Sequence, residues 1–156
     1  MRHLVLLEDS ERYAECGESF EVAKRLHSNL ECLVDYPLAE LDLMAEHLPN
    51  KSFRRVSHVL NENRRVQEVV RLLNQDPVDL AACGKQLFAS HESSRDQFEN
   101  STVELDFLVT ELGQFNEVYG ARLTGGGFGG AVMAWTSSDF TQEDAQVVAT
   151  RYHSRF

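Results

Sequence analysis

The sequence predicts an α+β fold that is mostly helical and contains a small antiparallel sheet. Before Gly113, apolar residues recur over most of the chain at spacings of three and four, which places them on one face of a helix. After Gly113 the pattern changes to two short extended segments, residues 117–122 and 131–135, which flank a cluster of glycines. Helical spacing then returns near the end of the chain, so we expect helices packed against a small sheet.

Helical spacing predicts five helices before the glycine cluster. They cover residues 10–27, 38–48, 52–74, 77–98 and 101–112. Asp76 and Pro77 suit the cap and the first turn of the fourth helix, and Ser101 with Glu104 predicts a capping box for the fifth. Gly84, inside the fourth helix, is expected to cost about 1 kcal/mol relative to alanine.

Three short segments are predicted to form strands. The apolar run at residues 3–7 is too short for an independent helix, so we predict a buried strand there. The segments 117–122 and 131–135 are the other two strands, and Thr141 with Asp144 predicts a capped final helix. No repeat, low-complexity tract or change of composition marks a boundary, so we expect one domain over residues 1–156.

Charge and composition exclude several classes of function. Lys and Arg number 15 against 25 Asp and Glu, a net charge of -10 that repels nucleic acid. The longest apolar runs, residues 4–7 and 131–135, are far shorter than the roughly 20 residues of a membrane span. The three cysteines, Cys16, Cys32 and Cys83, are too far apart in the sequence to form a C-x-x-C motif. Their odd number favours reduced thiols in a cytoplasmic protein.

The glycine cluster is the candidate binding site. Five of the nine glycines lie within G-G-G-F-G-G at residues 125–130. The candidate site residues are Thr124, Gly125, Gly126, Gly127, Phe128, Gly129 and Gly130. Glycine allows positive φ angles and a close approach to the backbone, which suits phosphate oxygens or a neighbouring loop. A tight or flexible connection between two strands, without any ligand, also fits this composition.

Two nucleotide-binding motifs fail at this position. The segment matches G-x-G-x-x-G, but the short apolar run 131–135 follows it, instead of the helix that a dinucleotide-binding unit requires. The phosphate-binding pattern G-x-x-x-x-G-K-[ST] fails because Ala131 and Val132 occupy the positions of its lysine and hydroxyl residue.

Two other side-chain clusters do not support chemistry of their own. Ser90, His91 and Asp96 are close in sequence, but near neighbours on a helix do not face each other, and no G-x-S-x-G turn is present. We expect His91 to form a structural hydrogen bond within the helical pair of residues 52–74 and 77–98. His58 and Glu62 share a helix face, yet two ligands are too few for a metal site. We therefore assign neither a catalytic residue nor a metal ligand.

Three separated blocks carry a resemblance to a known family. G-A-R-L-T-G-G-G-F-G-G at residues 120–130 closely resembles the C-terminal glycine signature of the GHMP-type small-molecule kinases, and Phe128 favours its galactokinase form. Residues 55–66 resemble the family pattern R-x-x-H-V-x-x-E-N-x-R-V. Residues 90–96 and 101–106 resemble S-H-x-S-x-R-D and S-x-x-E-L-D. The blocks occur in the family's order.

The resemblance implies a fold and an activity. It runs roughly from Glu21 to the end and implies the C-terminal domain of such a kinase, ferredoxin-like in outline. The implied reaction is ATP-dependent phosphorylation of the anomeric hydroxyl of galactose, with the glycine loop beside sugar and phosphates. ATP and Mg²⁺ would be bound mainly by an N-terminal domain, whose sugar motif, phosphate loop and aspartate are not found here. Because phosphoryl transfer depends on that machinery, we expect the chain alone to be inactive.

The sequence departs from the family pattern at two places. Ala131 stands where the family usually has cysteine, and Tyr13 matches the family's sugar-contacting tyrosine only with a shift of one residue. A second hypothesis is a stand-alone, non-catalytic module with this fold that binds a nucleotide, a sugar or a partner. Because the family's cleft face meets another domain, we expect an apolar patch beside the glycine loop, left exposed or covered in a homo-oligomer.

Overall fold

The computed structural model describes the backbone of residues 2–156 and the side chains of residues 10–156. The predicted α+β class is confirmed, since the described residues form six α-helices and one two-stranded antiparallel sheet. The chain divides into two compact units, Met1–Val66 and Gln67–Phe156. None of the described helices is long and apolar enough to cross a membrane.

The first unit is built from helices around a small apolar core. It contains α1 (Arg2–Leu26), 3₁₀ turns at Leu33–Asp35 and Leu38–Glu40, α2 (Leu41–Ala45) and the first part of α3 (Asn50–Leu73). Its buried core consists of Val22, Ala23, Tyr36, Met44, Val56 and Leu60. The predicted helix over residues 38–48 is thus split into a 3₁₀ turn and a short α-helix, whereas the predicted helix over residues 52–74 is confirmed.

The strand predicted at residues 3–7 is wrong, because these residues form the beginning of α1. A short apolar run fits a buried helical segment as well as a strand, so its composition alone does not decide between them. No proline or glycine separates this run from the helical segment that follows, and one helix continues through both. The described residues therefore supply two of the four strands that a ferredoxin-like sheet contains.

The second unit combines helices with the sheet. It contains α4 (Leu80–Ser93), a π-helical turn (Ser94–Phe98), α5 (Val103–Leu112), β1 (Val118–Thr124), β2 (Ala131–Thr136) and α6 (Gln142–Arg155). β1 and β2 are antiparallel, with Thr124 opposite Ala131 and a bulge near Val118. Buried apolar side chains of this unit include Cys83, Leu105, Val109, Ala121, Leu123 and Val148. The core thus lies between β1 and the helices.

The start of α4 differs from the prediction. The helix begins at Leu80 rather than at Pro77, and its cap is Asp79 rather than Asp76. The Asp79 carboxylate accepts a hydrogen bond from the Ala82 N–H at 2.8 Å. Both aspartates are good caps by residue type, but Asp79 lies directly before the apolar run that leads to the buried Cys83.

The caps of α5 and α6 give one correction and one confirmation. The capping box predicted from Ser101 and Glu104 is wrong, because Thr102 is the N-cap of α5 and accepts a hydrogen bond from the amide three residues later. The two hydroxyl residues are adjacent, and either could cap by residue type. The capping box predicted from Thr141 and Asp144 is confirmed at the start of α6.

Two glycines allow α4 to lie directly against β1. A Cβ atom on Gly84 would lie 2.0 Å from the carbonyl oxygen of Tyr119, and a Cβ on Gly120 would lie 2.0 Å from the carbonyl oxygen of Gly84. Because the obstructing atoms belong to the backbone, no side-chain rotation could make room. Gly84 therefore sets the distance between the helix and the strand, a role that its helix propensity does not indicate.

Candidate functional site

The glycine loop at residues 125–130 connects β1 to β2. Four of its glycines have positive φ angles, which are 88° at Gly125, 90° at Gly127, 122° at Gly129 and 100° at Gly130. L-amino acids rarely adopt such angles, whereas glycine adopts them without steric cost. The concentration of glycine seen in the sequence is therefore required by the conformation of the loop.

Open space borders the backbone at two positions in the loop. A Cβ atom placed on Gly125 or on Gly129 would meet no other atom within 4 Å. Thr124, at the entrance to the loop, is exposed. The backbone at both ends of the loop therefore borders open space that a ligand could enter. The loop is neither sealed in the core nor continued into a helix.

The centre of the loop is docked on Asn100, which precedes α5. The Asn100 carbonyl oxygen accepts a hydrogen bond from the Phe128 N–H at 2.7 Å, and its side-chain amide donates to the Gly126 carbonyl at 3.0 Å. Phe128 has a φ of 57°, a left-handed conformation that costs a non-glycine residue about 1 kcal/mol or more. The bond to Asn100 helps to hold Phe128 in that conformation.

A buried histidine joins three elements just before the loop. His91, on α4, is 2% exposed, and its Nδ1 accepts a hydrogen bond from the Leu123 N–H of β1 at 3.2 Å. Because this nitrogen accepts, the proton of the neutral ring lies on Nε2. Nε2 lies 3.1 Å from Asp106 Oδ1 on α5, and that oxygen also accepts the Ser101 hydroxyl at 2.6 Å.

The electrostatics of this cluster keep His91 uncharged at neutral pH. Burial lowers the pKa of His91 below its ordinary value of 6.5, although the nearby Asp106 acts in the opposite direction. A neutral ring retains the acceptor that Leu123 requires. The hydrogen bond of His91 is therefore structural, but it joins α4 to Leu123 of β1 instead of lying within the helical pair, and Asp106 of α5 lies beside the other ring nitrogen.

Replacing His91 with leucine is expected to lower the free energy of unfolding by about 1–3 kcal/mol, because the buried Leu123 N–H loses its acceptor. Urea denaturation measures the change, and His47→Leu, at an exposed histidine, is the matched control with an expected change within about 0.5 kcal/mol. Since the unfolded chain takes up the proton first, the stability of the unsubstituted protein should fall as the pH drops below 6.5. His91→Leu should remove that part of the pH dependence. If His91→Leu were as stable as His47→Leu, the structural role of His91 would be contradicted.

Two acidic residues of the sequence-derived clusters outside the loop are paired with neighbouring arginines. Asp96 binds the Arg95 guanidinium through both carboxylate oxygens, at 2.7 and 2.9 Å, and so does not orient His91 as a triad would require. Glu62 accepts a hydrogen bond from Arg65 at 3.1 Å. Among the described side chains, no group of three or more His, Cys, Asp or Glu residues is placed to hold a metal ion. Tyr13 is 84% exposed on α1.

Comparisons with known proteins agree on the class of this fold. The family model "GHMP kinases C terminal" matches residues 78–155. The chain is 40% identical over 110 residues to galactokinase of Mannheimia succiniciproducens, covering 69% of this chain and 28% of the relative. It is 37% identical over 132 residues to galactokinase of Canis lupus familiaris, covering 85% of this chain and 33% of the relative.

A solved structure gives the same result. The chain matches the crystal structure of Lactococcus lactis galactokinase complexed with galactose with a TM-score of 0.83 and 28% identity, covering 95% of this chain and 38% of that one. Fold and glycine loop together define the C-terminal domain of a GHMP kinase. The chain belongs to the galactokinase family. It spans about a third of the length of the relatives that it matches.

The sequence identified the loop but missed the residue that holds it. The signal for the loop was local, since five glycines lie within six residues. Asn100 carried no such signal, because its contacts with Gly126 and Phe128 join residues more than 25 positions apart. Its place directly before the S-x-x-E-L-D block was the one feature that could have drawn attention to it.

Proposed function

We propose that this chain is the C-terminal part of a sugar kinase that transfers the terminal phosphate of ATP to the anomeric hydroxyl of galactose. The observation that carries the proposal is the loop of residues 125–130, which has positive φ angles at four glycines and open space beside Gly125 and Gly129. Such a loop can bring peptide N–H groups to the oxygens of a phosphate or a sugar.

The loop's chemistry fits an anionic substrate despite the charge of the chain. A net charge of -10 repels a nucleotide triphosphate at long range. Peptide N–H groups act at short range, and Mg²⁺ supplies positive charge directly on the phosphates when it is bound. We assign the loop residues Thr124 to Gly130 to phosphate or substrate binding. We assign no catalytic residue or metal ligand to this chain, and we place most of the ATP and Mg²⁺ site in the remainder of the kinase.

The proposal includes inactivity of the isolated chain. Phosphoryl transfer is accelerated by positioning the reactants and by neutralising the charge of the transferred group, so a part of the site contributes little by itself. A cytoplasmic location is consistent with the free cysteines Cys16, Cys32 and Cys83.

One observation favours a second function, a stand-alone binding or interaction module. β2 begins directly after the loop and leaves Ala131, Met133 and Ala134 exposed. Exposed apolar residues beside a binding loop are typical of a surface that contacts another protein. In this alternative a second copy of the chain covers the surface, and the loop binds a nucleotide or sugar without chemistry.

The test is galactose-dependent release of ADP from MgATP. We expect no turnover by the chain alone, and turnover when the remainder of a galactokinase is supplied as a separate chain. Gly127→Ala should reduce that turnover at least tenfold, because its Cβ would lie 2.2 Å from the Asn100 carbonyl oxygen. Gly17→Ala is the matched control, since nothing lies within 4 Å of its Cβ position.

Three outcomes would change the assignment. Turnover by the chain alone would contradict its inactivity. No turnover in the mixture, with both chains folded, would contradict the kinase proposal. Calorimetric binding of MgATP or galactose under those conditions, together with a dimer in light scattering that Met133→Glu dissociates, would favour the binding module.

A further inference from the structure

Asn100 contacts three consecutive residues at the centre of the glycine loop. Its side-chain Nδ2 donates to the Gly126 carbonyl at 3.0 Å, and its carbonyl accepts from the Phe128 N–H at 2.7 Å. Between these bonds, a Cβ on Gly127 would lie 2.2 Å from the Asn100 carbonyl oxygen and 2.7 Å from Nδ2. Gly127 therefore packs against Asn100 with no space for a side chain. Asn100 thus restricts the backbone conformation at Gly126, Gly127 and Phe128.

Asn100 is itself fixed from outside the loop. Its N–H donates to the Ser94 carbonyl at 3.1 Å, at the beginning of the turn that follows α4. The residue before it, Glu99, has a φ of 56°, and Asn100 is 7% exposed. On its other side, Ser101 is bound to Asp106 on α5 at 2.6 Å. The residue that supports the loop thus lies on the connection between α4 and α5, outside the two strands that the loop joins.

The amide group of Asn100 is used as a donor. Since Nδ2 points to the Gly126 carbonyl, the other amide atom is Oδ1, which is buried and accepts no hydrogen bond from the described residues. Aspartate has nearly the same size and shape but offers no donor, and its negative charge would face the Gly126 carbonyl oxygen. Asn100→Asp consequently removes this bond while keeping the volume that fills the space beside Gly127.

We propose that Asn100 is the positioning residue of the glycine loop. Through Gly126, Gly127 and Phe128, it selects the loop conformation in which the backbone at Gly125 and Gly129 borders open space. This role rests on the proposed binding function of the loop. Asn100 does not contact the ligand, since it lies under the loop's centre and is buried, while the positions open to a ligand are at the loop's ends.

The test compares Asn100→Asp with Thr102→Ala, which removes the N-cap of α5 two residues away without touching the loop. Amide hydrogen exchange of the chain, followed by NMR, reports on the loop directly. In Asn100→Asp we expect the Phe128 N–H to exchange at least tenfold faster, although its own acceptor is a main-chain atom and is retained. Both substitutions are expected to lower the melting temperature, so exchange is compared at a temperature at which both variants are folded, where Phe128 exchange in Thr102→Ala should be unchanged.

A kinetic readout links the loop to function. In the two-chain ADP-release assay, Asn100→Asp should lower kcat at least tenfold at saturating galactose and MgATP, whereas Thr102→Ala should not. Unchanged Phe128 exchange in Asn100→Asp, or an equal increase in Thr102→Ala, would overturn the proposal. Faster exchange with unchanged kcat would also overturn it.

A second variant and the exchange measurement cover two cases in which the comparison above could fail. If Asn100→Asp does not fold, Asn100→Ala, which removes the amide without adding charge, is judged by the same criteria. If the unsubstituted pair of chains shows no turnover, the proposed kinase function fails. Phe128 exchange then still decides whether Asn100 positions the loop.

Discussion

Alanine in place of Gly84 is expected to lower the free energy of unfolding of the Gln67–Phe156 unit by at least about 3 kcal/mol. The added Cβ would lie 2.0 Å from the Tyr119 carbonyl oxygen and 2.2 Å from the carbonyl carbon. Neither atom can move away without a shift of the whole strand. α4 would therefore have to leave β1, and the hydrogen bond between His91 and Leu123 would lengthen with it.

Urea denaturation followed by circular dichroism measures this effect. Gly120→Ala should cost a similar amount, because its Cβ would lie 2.0 Å from the Gly84 carbonyl oxygen at the same contact. Gly17→Ala, inside α1 and with open space around its Cβ position, should be neutral or stabilising, as helix propensity predicts. If Gly84→Ala instead behaved like Gly17→Ala, the close approach of α4 and β1 would be refuted.

Gly84 also shows which part of the fold the sequence could predict. Long amphipathic helices such as residues 52–74 were predictable, because the burial of an apolar stripe repeats over many residues. The glycine loop was predictable because positive φ angles depend on the residue at each position, and glycine adopts them readily. The capping box of Thr141 and Asp144 was predictable for the same reason, since both partners lie within one turn.

The features that could not be predicted depend on contacts between distant segments. Helix propensity treats Gly84 as a small cost, whereas its importance comes from a strand 35 residues later in the chain. Asn100 and the loop are likewise brought together by the tertiary fold. The cap of α5 is Thr102, which has extended backbone angles, whereas the Ser101 hydroxyl donates to Asp106, and residue type alone does not decide between the two.

Glu15 is the centre of a charged cluster in the Met1–Val66 unit. Its carboxylate binds Lys51 Nζ at 2.5 Å, Arg55 Nε at 2.7 Å and Arg12 Nη1 at 2.7 Å. The Glu15 side chain is 13% exposed, and that of Arg55 is fully buried. Burial by itself would raise the pKa of Glu15, but the hydrogen bonds from Lys51, Arg55 and Arg12 outweigh it and lower the pKa from 4.5 to about 2.

We expect Glu15→Gln to lower the free energy of unfolding by about 3 kcal/mol at pH 7, since glutamine keeps the shape but removes the charge that three cations share. The fully buried Arg55 would then lose the negative charge of Glu15 beside its Nε. Glu18→Gln, at an exposed glutamate on the same helix, is the matched control and should change stability by no more than about 0.5 kcal/mol. Urea denaturation of both variants at pH 7 measures the difference.

The pH dependence separates this charge effect from a loss of packing. In the folded protein Glu15 keeps its charge down to a pH of about 2, whereas in the unfolded chain it takes up a proton near its ordinary pKa of 4.5. The stabilisation by Glu15 is therefore fully present above pH 4.5 and is lost progressively as the pH falls toward 2. The stability gap between the unsubstituted chain and Glu15→Gln should be constant from pH 7 to 5 and clearly smaller at pH 3. A gap that stays the same at pH 3 would assign the effect to packing, and a gap no larger than that of Glu18→Gln would show that the cluster does not stabilise the unit.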